Sequence, residues 1–165
     1  GYTHLQLAFG NDGLRFVLDD MTIEANGKTY TSDEVKAGIE LGNENYNNTH
    51  SNNVNDEFCS GADFVKNALT EAEMDEIIAH AKSVGIEIIP HVNMPGHMDA
   101  LLDAIEYLGI ADAHFTGSTK SERSLNLNSA EAVAFTQALL AKYQIIQVCI
   151  ACQVVNLDGN ALLAR

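Results

Sequence analysis

The chain is short of positive charge. Nine lysines and arginines stand against 23 acids, a formal net charge of −14 over 165 residues. Such a surface repels phosphates and anionic headgroups, which argues against DNA, RNA or a membrane as partner. No run of about 18 apolar residues occurs, so no membrane span is expected. Residues 1–9 have no basic start and only a short apolar stretch, unlike a signal peptide. The chain opens in mid-pattern without Met, which reads as a piece of something longer. Cysteine is scarce: Cys59, Cys149 and Cys152 are odd in number and irregular in spacing, so they form no disulfide framework. Cys149 and Cys152 have C-x-x-C spacing inside an apolar run with no second pair. They read as a buried structural or incidental pair rather than a redox or metal site. No G-x-G-x-x-G or Walker A pattern follows a strand, so nothing supports nucleotide binding, and no cofactor is expected.

What is present is the alternation of an α/β protein. Residues 4–9 (HLQLAF) read as a short buried strand, and 10–13 (GNDG) as the turn ending it. Residues 14–20 and 21–25 read as short extended pieces. Asn26 and Gly27 tolerate positive φ and read as a hairpin turn between 22–24 and 28–30. Residues 31–34 (TSDE) start a helix, with Val35, Ile39 and Tyr46 on one face. Residues 43–56, rich in Asn, read as a long loop. Thr70 and Glu73 form a capping box opening a helix to about Val84, with Met74, Ile77, Ile78 and Ala81 as its apolar stripe and Gly85 as its stop.

Residues 86–93 follow as a buried parallel strand. Helices are expected over about 98–108 and from Ser129 onward, the latter carrying Val133, Phe135, Ala138 and Leu139. Residues 144–155 are apolar and β-branched. Strands alternating with helices imply a parallel sheet, in either an α/β barrel or an open doubly wound sheet. One domain is expected from the length, but a complete (β/α)8 barrel needs about 250 residues. The expected fold is therefore a partial, half-like TIM barrel over 1–143, with 144–165 an unrelated apolar tail completing or capping the sheet.

In such folds ligands bind at the C-terminal ends of the strands. Two ends are visible. One offers Asp12 and Arg15, the other His91, Asn93 and His97. A carboxylate such as Asp12 can orient the His97 imidazole, and Arg15 can hold a carboxylate or sugar hydroxyls. Asp12 beside Gly13 is equally the residue of a simple turn. His91, His97 and Asp99 match no standard zinc spacing, and no metal is expected. His4, His50, His80 and His114 read as scattered surface or edge residues.

Residues 88–98 (IIPHVNMPGHM) resemble the IPEIDMPGH strand and loop of family 20 glycoside hydrolases, the β-N-acetylhexosaminidases. Residues 5–15 (LQLAFGNDGLR) resemble their HFHLTDDQGWR strand end. The run 10–21 (GNDGLRFVLDDM) is similar to the streptococcal-type surface modules of that family. Residues 132–140 (AVAFTQALL) resemble the helix before the catalytic strand.

The resemblance covers roughly residues 1–143 and implies a sugar hydrolase with a carbohydrate partner. It places the family's supporting Asp–His relay on Asp12 and His97 and a residue near the sugar on Arg15. His91 and Asn93 stand where the family carries acids, and are expected to contact substrate. The family's mechanism is substrate-assisted: an Asp orients the acetamide and a Glu protonates the leaving oxygen. That Asp-Glu pair follows the matched helix, whereas after Tyr143 this sequence has no Asp-Glu and only Asp158.

Two readings follow. One is a glycosidase completed by substitute carboxylates, with Asp12, Asp99 and Asp103 as candidates. The other is an inactive barrel fragment that at most binds sugar weakly. Either would expose sheet edges, from which a homodimer is expected. The resembled modules are bacterial, on the cell surface or secreted.

Overall fold

The computed structural model describes residues 1–11, 13–49, 68–116 and 123–143. In chain order they form β1 (His4–Asn11), β2 (Gly13–Leu14), β3 (Ile23–Ala25), β4 (Lys28–Tyr30), α1 (Ser32–Thr49), α2 (Glu71–Ser83), β5 (Glu87–Val92), α3 (Asp99–Tyr107) and α4 (Ala130–Lys142). The sheet runs β2-β1-β5, and β3-β4 is a separate hairpin. β1 and β5 are parallel, pairing His4 with Glu87 through Gly10 with Val92. β1 and β2 are antiparallel, with Asn11 opposite Gly13. The α/β class with a parallel pair is thus as expected.

Local signals fix most element ends. Asn26 and Gly27 have φ of 57° and 69°, and the β3–β4 hairpin turns on them. The Thr70 side chain accepts from the Glu73 amide, and Glu73 accepts from Thr70 N–H at 2.8 Å, so both halves of the α2 box are present. Thr31 and Glu34 make the same exchange at α1. Ser129 caps α4. Gly85, at φ 74°, lets the chain leave α2 and enter β5.

Three expectations need correction. The loop expected from Asn43 is instead helix through Thr49. Asn43 is 3% exposed and bonds to the Leu14 backbone, so tertiary contact overrides its weak helix preference. β1 is not a buried strand: Phe9 is buried, but Leu5 is 47% exposed, and Gln6 and Ala8 are exposed too. β5 is half-buried rather than buried. Incomplete cover explains both: Leu5 shares the α2-facing side with Leu7 and Phe9 yet stays exposed, and β5 is half-buried on both faces from Ile88 to Val92. Leu7, Phe9, Ile88 and Pro90 face α2, while Gln6, Ala8, Ile89 and His91 share the opposite face, which the described residues leave half open. The expected strand over 144–155 lies outside the described residues.

Most of the core lies away from the parallel pair. Met21, Ile23, Tyr30, Val35 and Ile39 pack against Leu101, Leu102 and Ile105 of α3 and Phe135 and Leu139 of α4. Tyr30 meets Phe135 edge-on, with centroids 5.2 Å apart. A smaller cluster of Phe9, Phe16 and Met74 joins β1 to α2. α1 crosses α3 closely: a Cβ on Gly42 would stand 1.9 Å from the Ala100 carbonyl oxygen. No described helix is long and apolar enough to cross a membrane.

Candidate functional site

The parallel register brings the ends of β1 and β5 together. Asn93 N–H donates to Gly10 C=O at 2.8 Å, which joins the end of β1 to the loop after β5. Gly10 permits this approach, since a Cβ there would stand 2.7 Å from Val92 Cγ1. A narrow crevice at the junction is lined by Gly10, Gly13, Val92, Asn93, His97 and Leu101, among others. His97 and Asn93 therefore share one crevice with Gly10 and Gly13. Asp12 itself lies outside the described residues, as does His50.

His91 and Asn93 meet directly, through Nε2 and Oδ1, and the other ring nitrogen of His91 meets Gln6 Nε2. One arrangement satisfies both contacts: a neutral imidazole that donates from Nε2 to Asn93 and accepts at Nδ1 from Gln6. Gln6 lies within the 5–15 strand end, though not among its candidate residues, and is a member of the site.

Arg15 is half-buried. Its N–H donates to Phe9 C=O at 2.7 Å and its C=O accepts from Leu69 N–H at 2.8 Å. Its guanidinium lies over Gly13, where a Cβ would come within 2.8 Å of Nε. Gly13 thus makes room for Arg15 beside the turn. Neither Arg15 nor His91 lines the crevice.

His97 is exposed at φ 58°, a left-handed conformation unusual for a side-chain-bearing residue. It lies in the 94–98 loop, and residues 123–125 support that loop. Met98 N–H donates to Arg123 C=O at 3.0 Å, and Leu125 N–H donates to Pro95 C=O at 2.7 Å. Arg123 Nε reaches both oxygens of Asp99, each at 3.1 Å. Arg123 belongs to no motif and stands in a polar stretch, so only the fold reveals it.

Two of the carboxylates considered as substitutes, Asp99 and Asp103, are engaged elsewhere. Asp99 is held by Arg123. Asp103 accepts from His114 Nε2 at 3.0 Å and from Asn45 Nδ2 at 3.0 Å. Burial pushes the Asp103 carboxyl up, but the His114 and Asn45 hydrogen bonds outweigh it and hold it below the ordinary carboxylate range. A carboxylate so held is ionised near neutrality and is a poor general acid. His114 is not a scattered surface residue, since its side chain is 21% exposed and lies against Asp103. His4 does sit at the surface, 3.4 Å from Glu87, and His80 is exposed. Among the described residues no three His, Cys, Asp or Glu side chains gather as metal ligands.

Residues 24–149 match the catalytic domain of glycosyl hydrolase family 20. The chain belongs to that family. Two solved structures of StrH, a pneumococcal virulence factor described as an exo-β-D-N-acetylglucosaminidase with tandem catalytic modules, are similar to this family 20 chain. Each superposes with a TM-score of 0.73 at 46% identity, covering 87% of this chain and 31% of the solved chain. The lacto-N-biosidase of Bifidobacterium bifidum is 30% identical over 74 residues, 45% of this chain and 6% of that protein. The chain thus spans about a third of the solved structures it matches.

Proposed function

We propose that the described residues are the opening part of a family 20 (β/α) barrel acting on terminal N-acetylhexosamine. The supporting observation is the Asn93-to-Gly10 hydrogen bond, which sets the two motif-bearing strand ends side by side. In this reading Asp12 and His97 form the relay that supports the acid, and Arg15, His91 and Asn93 contact the sugar. The half-open face of Gln6, Ala8, Ile89 and His91 is the one a closed barrel turns inward. The division that goes with it is 1–143 as barrel and 144–165 as an apolar segment completing or capping the sheet. An apolar cleft of about 730 Å³ beside β5, lined by Phe9, Phe16, Met74, Ile78 and Tyr143, favours that division. The same cleft and the outer edge of β5 favour a homodimer, for which a monomer by light scattering at micromolar concentration is the contrary result.

Hydrolysis of a chromogenic N-acetylglucosaminide by the purified chain tests the activity. Turnover above that of an Asp12→Ala/His97→Ala double variant supports it. Turnover equal to that variant favours the second reading, an inactive barrel portion with weak sugar binding. That reading draws on the sequence after Tyr143, which has no Asp-Glu, and on the engagement of Asp99 and Asp103.

A further inference from the structure

We infer that Arg123 is a positioning residue that holds His97 in its left-handed conformation at the crevice. The inference rests on the reading of His97 as part of the family 20 site. It begins from the backbone. Outside a tight turn, a left-handed residue with a side chain is strained and is held there by its surroundings. Gly96 and His97 are the two residues between Pro95 and Met98, and both flanks are pinned from one direction. Pro95 C=O accepts from Leu125 N–H at 2.7 Å, and Met98 N–H donates to Arg123 C=O at 3.0 Å.

The Arg123 side chain adds the third anchor. Its Nε spans both Asp99 oxygens at 3.1 Å, and Asp99 is the first residue of α3, two positions after His97. Arg123 therefore grips the loop just after His97 by its carbonyl and the helix start by its guanidinium.

The anchor is itself fixed. Phe115 N–H donates to Ser124 C=O and Asn126 N–H to Ala113 C=O, both at 2.8 Å, which ties residues 123–126 to the segment following α3. A one-residue tether of this kind sets backbone torsion. Loss of the guanidinium removes this grip on Asp99 and loosens the Met98–Asp99 junction, so the His97 imidazole shifts in the crevice. Lysine at 123 restores the charge but not the planar fork, so it restores the position only in part.

The test is imidazole NMR on histidine-labelled protein, with His97 assigned by the signal missing in H97Q. In R123A the His97 resonance shifts and broadens and its titration midpoint moves, while the His4 and His80 signals stay in place. In R123K it returns partway to the wild-type position. If the wild-type chain hydrolyses the N-acetylglucosaminide, R123A lowers kcat by roughly 10–100-fold with KM nearly unchanged, as for a misplaced catalytic group. A folded R123A or R123K whose His97 signal matches wild type overturns the inference. If R123A does not fold, D99N carries the same test, because it removes the other half of the clamp. Absence of hydrolysis by the wild-type chain counts against the proposed activity alone, since the His97 signal is read without turnover.

Discussion

The Asn43 carboxamide holds Leu14 by both of its backbone polar groups. Leu14 N–H donates to Oδ1 at 2.9 Å, and Nδ2 donates to Leu14 C=O at 2.9 Å. A helix side chain thereby stands in for a neighbouring strand and fixes the turn that carries Gly13 and Arg15. Asn43→Ala leaves two buried backbone groups unpaired, a cost of about 3 kcal/mol at roughly 1–3 kcal/mol per group. Urea unfolding reads it. A loss under about 1 kcal/mol would mean that water reaches Leu14 in place of Asn43.

Gly42→Ala is expected to destabilise, against the usual trend. An exposed Gly→Ala change inside a helix gains about 1 kcal/mol. Here the new Cβ would stand 1.9 Å from the Ala100 backbone oxygen, so α1 and α3 must move apart. Gly38→Ala meets Tyr107 and the Ala104 oxygen only at 3.1–3.2 Å and is expected to cost less. Thermal midpoints for both variants give the order, and an equal or reversed order contradicts it.

Asp103 makes stability depend on acid. Its folded carboxyl lies below the ordinary value, because the His114 and Asn45 hydrogen bonds outweigh burial. The stability this supplies is complete above the unfolded value of about 3.9 and is lost as pH falls through the lowered folded value. Asp103→Asn should therefore be less stable than wild type near neutrality, with the gap closing below about pH 4. Urea midpoints against pH check this, and a gap constant down to the lowest pH refutes it.

Tyr143 makes stability depend on base. Burial, and secondarily the charge of Glu71, push its phenol well above the ordinary tyrosine value. Its hydroxyl donates to Phe16 C=O at 2.5 Å. A raised folded value gives stability that is complete below the unfolded value of about 10 and lost as pH rises through the folded one. Tyr143→Phe should cost about 1 kcal/mol near neutrality from the lost hydrogen bond. Above about pH 10 the advantage of wild type should shrink. Melting temperatures of the pair across that range decide it.

Much of the fold was legible because its signals are local. The Thr70–Glu73 box, the Asn26–Gly27 turn, Gly85 and the Ser129 cap each fix backbone within a few residues, and each element end lies where they place it. The strand-end motifs at 5–15 and 88–98 were legible too, and their parallel pairing brings the two ends together. What stayed hidden depends on contacts far apart in the chain. Asn43 looked like a loop residue because its weak helix preference was visible and its partner, 29 residues away, was not. β1 looked buried because its composition is apolar, yet burial is decided by which elements cover each face.

By itself the sequence determined most element types, most of their ends and the family, because capping, turn chemistry and motif strings act between near neighbours. Only the tertiary structure decided that Gly10 admits Asn93, that Gly42 admits Ala100, and that Arg123 clamps Asp99 beside His97. Those depend on close approach between separate segments, which packing imposes and no local pattern encodes.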